Sequence, residues 1–521
     1  MNEQTKKTGA AILVDSLIEQ GVKLIFGYPG AAILSIYDEL YHRRDHIRHI
    51  LVSHEQHAAH AADGYARASG SVGVCLATSG PGTTNLITGI ATAFMDSIPI
   101  VAITGNVCTA LLGKDSFQEV DSTGITIPVV KHSWLVKNGA DIAGIIKEAF
   151  IVSRSGRAGP VLIDIPSDVL EQHAESKPLS SARLKRLSKT FPVNDTAIEQ
   201  AAKLLCAAQK PVIYAGGGVV SADAGIQLLS LAEYLNAPVI LSLMGLASFP
   251  SRHPLCAGLI GKYGTDYANT ALKQADIILA LGARFSERVT GNDPEQFIHG
   301  ATVVHFDIDP AEINKTVRAT LSVQGDLKET LPRLLALLPP SRYTFPPLPA
   351  ASVPSNAFNP QYIITTAAEY LGPDAIVVTD VGRHQLWTAQ FYPFSGRARS
   401  FLTSGGMGTM GFGLGAALGS AFACPTRPVL LITGDGSFRM NCSEMSTLVA
   451  YNVPVLILIL NDHALGMIKE WQSLLYEGRY SESTLNRPPD FVKLAAAYGI
   501  AGFQACTAAS FTAALKEATK L

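Results

Sequence analysis

Short apolar runs rich in Val and Ile alternate with helical stretches rich in Ala and Leu along the whole chain. Near the N-terminus, this pattern predicts a helix over residues 8–20, a strand entering a glycine turn over 24–30, a strand over 49–53 and a helix over 58–69. Further strand-and-turn units are predicted over residues 211–218, 276–285 and 303–310. Strands that alternate with helices are typical of parallel sheets covered on both faces, so the pattern predicts an α/β fold.

Two stretches interrupt this alternation. Residues 175–192 are polar and charged without periodicity, and proline recurs through residues 338–354. We expect linkers at both places. The chain is therefore predicted to hold three doubly wound parallel-sheet domains, over residues 1–174, 190–338 and 356–521.

Composition narrows the class of protein. The 521 residues carry a net charge of -2 with both signs interspersed, which gives no electrostatic case for nucleic acid or an anionic membrane as the main partner. The seven cysteines are scattered and form no CxxC pair, as expected of reduced thiols. No apolar run approaches the roughly 18 residues that span a bilayer, and the N-terminus lacks the apolar segment of a signal peptide. We expect a soluble cytoplasmic protein.

Oxygen ligands follow two predicted strands near the C-terminus. Asp435 lies in a Gly-Asp-Gly-Ser turn, and Asn461 and Asp462 follow the apolar run 455–460. If the strands are parallel neighbours, both turns lie at one edge of the sheet, where hard oxygen ligands suit Mg²⁺ that holds a diphosphate. An ordinary acidic turn of a βαβ unit is the alternative interpretation.

Glu55 lies between a predicted strand end and a predicted helix start. A carboxylate there can simply stabilise the first turn of the helix. Alternatively, a half-buried glutamate can exchange a proton with a ring nitrogen of an aromatic heterocycle. The neighbouring His54, His57 and His60 are spaced by three rather than four residues, which does not match a zinc-binding HExxH motif, so we interpret His57 and His60 as helix-surface or packing residues.

Several motifs taken together resemble the catalytic subunit of acetohydroxyacid (acetolactate) synthase, a thiamin-diphosphate enzyme. The resemblance covers nearly the whole chain. Its N-terminal motifs include Glu55-Gln56, and its C-terminal ones the Gly-Asp-Gly-Ser turn and a segment that ends in Trp471. The motifs lie at residues 26–30, 55–56, 64–68, 78–85, 115–119, 245–254, 403–411, 434–437 and 465–472.

The resemblance implies a pyrimidine-binding N-terminal domain, a central domain that holds FAD in a non-redox role, and a C-terminal domain that binds diphosphate and Mg²⁺. It implies that Glu55 contacts the pyrimidine N1′ of the cofactor, that the Gly408 carbonyl accepts from its 4′-amino group, and that Met410 wedges it into a bent form. The other implied thiamin-diphosphate residues are Pro29, Gly30, Gly82, Asn85, Gly382, His384, Gly436, Ser437 and Met467. The implied FAD residues are Arg157, Gly217, Gly218, Gly282, Arg284, Asp307, Gly325 and Asp326.

The resemblance also assigns the metal and substrate residues. Counted back from Gly466, the metal position usually held by asparagine is Asp462, so the implied ligands are Asp435, Asp462 and the Ala464 carbonyl, with Asn461 as a weaker alternative. Phe117, Gln118, Arg288 and Trp471 match the family's catalytic and acceptor-binding residues. Departures from the family pattern occur at His57, Ser167, Lys262, Tyr263, Ser286 and Arg383.

The implied reaction is decarboxylation of pyruvate and condensation of the two-carbon unit with a second 2-keto acid. The product would be 2-acetolactate, or 2-aceto-2-hydroxybutyrate from 2-ketobutyrate, in branched-chain amino acid biosynthesis. Implied partners are a second copy of the chain, in a homodimer or homotetramer, and a regulatory small subunit. The resemblance further implies a strand and tail beyond Leu521. The alternatives are another thiamin-diphosphate lyase or acyl transferase, suggested by the departures, and a nucleotide-binding scaffold without turnover.

Overall fold

The fold comes from a computed structural model, which describes residues 6–187, 192–339, 358–487 and 489–521. Three sheets flanked by helices follow one another along the chain, and a small antiparallel pair joins Lys7–Thr8 to His173–Ala174. The predicted α/β fold class with three parallel-sheet domains is confirmed.

The N-terminal sheet has six parallel strands. In spatial order they are Arg48–Leu51, Leu24–Gly27, Gly73–Ala77, Ile100–Asn106, Val161–Pro166 and His132–Leu135. Its α-helices are Gly9–Glu19, Leu34–His42, Glu55–Ser69, Pro81–Asp96, Ser122–Thr126, Ile142–Arg154 and Ser167–Glu171. The side chains between this sheet and its helices form a continuous apolar core.

The predicted N-terminal elements are confirmed, with shifted ends. The helix predicted over residues 8–20 is Gly9–Glu19, where the Thr8 hydroxyl accepts from the Ala11 amide as its N-cap. The helix predicted over 58–69 begins earlier, at Glu55, because the His54 ring accepts from the Gln56 amide and caps that turn. Glu55 is therefore the first residue of a helix.

The central sheet also has six parallel strands. In spatial order they are Cys256–Leu259, Val239–Leu241, Pro211–Ala215, Ile277–Leu281, Thr302–Asp307 and Leu321–Gln324. Its α-helices are Asp195–Ala207, Gly217–Ser221, Gly225–Leu235, Asp266–Gln274, Glu287–Thr290, Pro294–Ile298 and Leu327–Leu337. The three strands predicted in this region are all present, and they are neighbours in the sheet.

The C-terminal sheet has four strands, in the spatial order Phe401–Leu402, Ile376–Thr379, Val429–Gly434 and Leu456–Leu460. Its last two strands are parallel, with Gly434 opposite Leu460, so the turns that follow them emerge side by side as predicted. The α-helices of this region are Pro360–Leu371, Arg383–Phe391, Gly413–Ala423, Asp435–Phe438, Met445–Ala450, Gly466–Leu475, Phe491–Ala497 and Ala508–Ala518.

By its internal contacts the chain divides into two compact units. The first contains Met1–Lys189, Val378–Gly382 and Leu402–Gly502, and the second contains Thr190–Val377, Arg383–Phe401 and Phe503–Leu521. Among the described residues, no helix is both long and apolar enough to cross a lipid bilayer.

The two predicted linkers have different outcomes. The stretch 175–192 is not uniformly irregular, because Ser181–Leu187 forms a helix whose Arg183 contacts Glu148. Most of the stretch 338–354 lies outside the described residues. The three domain boundaries therefore stay predictions.

The helices Glu55–Ser69 and Gly413–Ala423 pack at backbone distance inside the first unit. A Cβ atom at Gly419 would lie closer than 3.0 Å to the carbonyl oxygen of Ala61, and one at Gly64 would meet the backbone of Ala416 equally closely. Because neither neighbour is a flexible side chain, only glycine fits at these two crossings. This contact joins the N-terminal and C-terminal parts of the first unit.

We predict that Gly419→Ala destabilises the protein, because the added methyl group must push two helix backbones apart. Overpacking of this kind costs about 1–3 kcal/mol or more, and the apparent melting temperature should fall. Gly144→Ala is the matched control: it also lies in a helix, but its nearest neighbours would be at least 3.4 Å from the new Cβ. Equal melting temperatures for the two variants would contradict the close contact.

Candidate active site

Asp435 is the best-defined polar group at the C-terminal sheet edge. It begins the short helix Asp435–Phe438 directly after the strand Val429–Gly434 and is buried. Within the described part of the chain, neither of its carboxylate oxygens has a hydrogen-bond partner. Burial raises the pKa of Asp435, and the nearby negative charge of Asp462 raises it further, whereas the amides of Asp435 and Gly436 act in the opposite direction. A buried carboxylate that has two backbone amides nearby but none in hydrogen-bonding geometry fits a cation ligand.

Asp462 follows the neighbouring strand, and its side chain accepts from the Ala464 amide at 3.2 Å. This contact orients the carboxylate in the turn, and Ala464 itself is buried. Asn461, the alternative ligand, is exposed, and so is Asp462. The two predicted metal turns thus lie beside each other, and their donor set of carboxylate and carbonyl oxygens suits Mg²⁺.

Gly436, Ser437 and Met410 come together next to this turn. A Cβ at Gly436 would lie 2.7 Å from the Leu465 side chain and 3.9 Å from the end of Met410. The Ser437 hydroxyl donates to the Val381 carbonyl at 2.9 Å. Because Gly382 is the next residue in the chain, this bond also brings Gly382 close to the turn. Met467 and Trp471 lie one turn apart on the helix Gly466–Leu475, and both are half-buried.

Two buried carboxylates that sequence reasoning missed hold the loop that carries Gly408 and Met410. On one side Asp96 accepts from the amides of Gly405 and Gly406 at 3.1 and 2.7 Å. On the other side Asp380 accepts from the amides of Gly411 and Phe412 at 2.7 and 3.1 Å. Asp380 lies two residues before Gly382, which the resemblance implies to bind the cofactor, and this position is the signal that could have identified it.

Asp96 belongs to a buried charge network. Its carboxylate pairs with Arg67 at 2.8 Å, and the same guanidinium contacts Asp63 and donates to the Thr403 carbonyl. Each carboxylate therefore has a cationic or amide donor, as burial of charge requires. The network binds the start of the loop to two helices of the N-terminal sheet.

Glu55 forms the second part of the site, at the edge of the N-terminal sheet. It is half-buried, and its carboxylate accepts from the Asn85 side chain at 2.9 Å. A Cβ at Gly82 would lie 3.5 Å from the same carboxylate, so three predicted residues are brought together. Gly30 lies against Thr78 at the neighbouring strand end, where a Cβ would clash with the threonine side chain, and Pro29 precedes it.

Glu444 anchors the turn that carries Glu55. This fully buried carboxylate accepts from the Ser53 amide at 2.8 Å and the Thr447 hydroxyl at 2.8 Å, and it pairs with the His57 ring at 2.9 Å. Sequence reasoning missed Glu444, because Ser53 and His57 lie nearly 400 positions earlier in the chain.

His57 and His60 are both buried, so the helix-surface alternative was wrong and the packing alternative is confirmed. Burial in the helix contact lowers the pKa of His60 to about 3, which leaves the ring neutral.

The predicted substrate residues Phe117 and Gln118 lie on a loop after the strand Ile100–Asn106. The Phe117 side chain is 88% exposed. The Glu119 carboxylate accepts from the amides of Gly113 and Ser116 and shapes this loop. The Gln118 backbone is in the left-handed region and lies 2.8 Å from where a Cβ at Gly80 would be.

Five of the residues predicted to bind FAD, Gly218, Gly282, Asp307, Gly325 and Asp326, lie at one edge of the central sheet. A Cβ at Gly218 would lie 2.6 Å from the Gly282 backbone, and the Gly325 amide donates to the Asp307 carbonyl at 3.1 Å. The buried Asp307 carboxylate accepts from the Asp309 amide, and Asp326 caps the helix Leu327–Leu337. Glycine turns and a carboxylate at the ends of neighbouring parallel strands fit a dinucleotide.

The remaining predicted residues have their own surroundings. In the second unit, burial raises the pKa of Tyr214, and the positive charge of Arg284 opposes that shift. The Arg288 side chain is 63% exposed and His384 is buried. In the first unit, Arg157 donates to the Ser97 hydroxyl at 2.7 Å. The structure does not test the roles predicted for these four residues.

Three family models match the chain in sequence. They describe the N-terminal TPP-binding domain, the central domain and the C-terminal TPP-binding domain of thiamine pyrophosphate enzymes, at residues 7–125, 198–334 and 380–521. Thiamine pyrophosphate is the same compound as thiamin diphosphate.

Curated relatives match over nearly the full length. The acetolactate synthase isozyme 3 large subunit of Escherichia coli is 46% identical over 95% of this chain and 89% of its own length. The acetolactate synthase large subunit of Parasynechococcus marenigrum is 46% identical over 95% of this chain and 83% of its own length. The acetolactate synthase of Mycobacterium bovis is 44% identical over the same shares. The chain belongs to the acetolactate synthase large-subunit family of thiamine pyrophosphate enzymes.

Proposed function

We propose that this chain decarboxylates pyruvate and joins the two-carbon unit to a second 2-keto acid, giving 2-acetolactate or 2-aceto-2-hydroxybutyrate for branched-chain amino acid biosynthesis. The observation that carries the proposal is the arrangement around Glu55. In a chain of this family, a half-buried carboxylate held by Asn85 beside Gly82 is the group that can move a proton at the pyrimidine N1′ of the cofactor.

When bound, thiamin diphosphate supplies the carbon nucleophile and the electron sink for decarboxylation. Asp435, Asp462 and the Ala464 carbonyl would hold the Mg²⁺ that binds its diphosphate, and Gly436 and Ser437 would lie beside the diphosphate. From the loop of this chain, the Gly408 carbonyl would accept from the cofactor's 4′-amino group, and Met410 would support the cofactor. Phe117, Gln118, Arg288 and Trp471 receive the acceptor keto acid.

FAD is proposed as a second, non-redox ligand of the central sheet edge. Its residues are Arg157, Gly217, Gly218, Gly282, Arg284, Asp307, Gly325 and Asp326. The glycine contact at Gly218 and Gly282 also has a structural cause in the close backbone approach. Flavin absorbance that copurifies with the protein would support the proposal, and a colourless protein that is fully active without added FAD would contradict it.

The experiment for the main proposal uses purified protein with thiamin diphosphate, Mg²⁺ and pyruvate. Acidification converts 2-acetolactate to acetoin, which is then measured, and 2-ketobutyrate is added in a parallel reaction. Release of CO₂ without acetoin would favour the second candidate, another thiamin-diphosphate lyase or acyl transferase. That candidate is motivated by Lys262 and Tyr263, which both depart from the family pattern. The Lys262 ammonium group lies over the Tyr263 ring, 5.7 Å from its centroid.

The proposed partners are a second copy of the chain and a regulatory small subunit, since relatives are named large subunits. The proposed location is the cytoplasm.

In the described part of the chain, no hydrogen bond joins Glu55 to Asp435 or Ser437. We predict an active homodimer or homotetramer, in which Glu55 of one copy serves the diphosphate turn of another. Sedimentation velocity at assay concentrations should show the dimer or tetramer, and an active monomer would end this part of the proposal.

We predict that Glu55→Gln nearly abolishes exchange of the cofactor C2 proton, because an amide cannot relay a proton. Binding of Mg²⁺ and the melting temperature should remain those of the unmodified protein. The exchange is started by dilution into deuterated buffer and stopped with acid, and the remaining C2 proton is measured by NMR. Glu171→Gln, at an exposed helix end, is the control and should exchange normally. Normal exchange in Glu55→Gln would remove Glu55 from this role.

The choice between Asp462 and Asn461 as the metal ligand gives a separate prediction. Asp462→Ala should weaken Mg²⁺-dependent cofactor binding severely, and Asp462→Asn only mildly, because the asparagine carbonyl oxygen can reach the same position. Asn461→Ala should have the smaller effect of the two alanine variants. Titration of each variant with thiamin diphosphate at fixed Mg²⁺ ranks them, and the opposite order would move the ligand to Asn461.

A further inference from the structure

Three successive residues at the end of the strand Ile376–Thr379 each bond a different part of the cofactor site. The Thr379 hydroxyl donates to the Thr403 hydroxyl at 2.7 Å, at the start of the loop that carries Gly408 and Met410. The Val381 carbonyl accepts from Ser437 in the diphosphate turn. Asp380 lies between them and is fully buried. This short segment therefore connects the bending loop to the diphosphate turn.

The carboxylate of Asp380 accepts from four donors. One oxygen takes the amides of Gly411 and Phe412, directly after Met410. The other oxygen takes the Thr433 hydroxyl at 3.3 Å and the Asn441 side-chain amide at 3.1 Å. Thr433 precedes the metal turn, and Asn441 follows the helix Asp435–Phe438. A single side chain thus bonds both sides of the proposed cofactor cradle.

The amides of Gly411 and Phe412 can only donate, so they require an acceptor at one oxygen, whereas Thr433 and Asn441 donate to the other oxygen but can also accept. A protonated acid or an amide in place of the carboxylate would turn a donor toward one of these pairs. Asn441 also has unused capacity, because its Oδ1 atom is buried and has no partner among the described residues. The Asn441 amide could therefore rotate by half a turn and accept from a donor at position 380.

We propose that Asp380 is a positioning residue, which holds the Met410 loop and the metal turn at the separation that the bent cofactor needs. The inference rests on the proposed use of thiamin diphosphate. Asp96 holds the other end of the same loop through Gly405 and Gly406, and Thr409 is bonded to Ser404 and Thr92 between the two ends. Loss of the Asp380 anchor would free the backbone directly after Met410, while Asp96 and Thr409 keep their bonds.

The test is an exchange of two side chains. Asp380→Asn keeps an oxygen for Gly411 and Phe412 and can pair with a rotated Asn441, so it should fold. Its affinity for thiamin diphosphate with Mg²⁺ should fall roughly tenfold, since hydrogen bonds to a charged acceptor are replaced by neutral ones. Asn441→Asp faces a second carboxylate at hydrogen-bonding distance and should lose roughly 100-fold or more.

The double variant Asp380→Asn with Asn441→Asp restores one carboxylate and one amide. It should bind the cofactor at least about tenfold more tightly than Asn441→Asp alone, which is a non-additive result. Fluorescence titration of the apo-protein gives the affinities. The rate of C2 proton exchange at saturating cofactor reports how well the loop positions the bound cofactor. A displacement of the loop by about 1 Å can slow this exchange about 100-fold. Asp38→Asn, on an exposed helix face, is the matched control and should change neither quantity.

A merely structural role would lower the melting temperature of the apo-protein and leave exchange at saturation unchanged. That result, or a double variant no better than Asn441→Asp, would overturn the inference. Binding and C2 exchange need no keto acid, so they are independent of product formation. An unmodified protein that binds and exchanges the cofactor but forms no acetoin would contradict the proposed function and leave the role of Asp380 open to the same test.

Discussion

The close packing of the helices Glu55–Ser69 and Gly413–Ala423 is the constraint on which the rest of the first unit depends. Glycine at positions 64 and 419 lets the two backbones approach within contact of each other's carbonyl groups. With no side chain between them, the helices can slide or tilt little without a clash. The helix that begins with Glu55 is therefore fixed against the helix that follows the Met410 loop.

Buried polar groups convert this packing into a defined geometry. Arg67, on the first helix, pairs with Asp63 and Asp96, and Asp96 holds the loop amides of Gly405 and Gly406. Glu444 in turn holds Ser53 and His57 at the start of the same helix. An apolar replacement would fill the same space but would not specify where the loop ends, because directional donors and acceptors set its register. The chemistry proposed for Glu55 and Met410 needs that precision.

Asp435 contrasts with these satisfied groups. Asp96, Asp380 and Glu444 are buried and each accepts from at least two donors, whereas both oxygens of Asp435 lack a partner in the described part of the chain. Burial of an unpaired carboxylate is costly unless a cation compensates for it. Asp380 and Asp435 follow neighbouring strands of the C-terminal sheet, so the same sheet edge contains one carboxylate that organises the backbone and one that is available to a metal.

The sequence by itself determined the fold class, the position of two acidic turns side by side at one sheet edge, and the place of Glu55 at a helix start. These features are local, since apolar periodicity specifies strands and helices, and a Gly-Asp-Gly-Ser turn carries its chemistry in consecutive residues. The sequence predicted the ends of helices and strands less well. The helix predicted to begin at residue 58 begins at Glu55, because the His54 ring caps its first turn. Only the tertiary structure revealed the roles of Asp96, Asp380 and Glu444, because their donors come from residues up to 391 positions away in the chain. A carboxylate in a sequence does not indicate which distant amides will surround it, and that choice depends on how the helices and sheets pack.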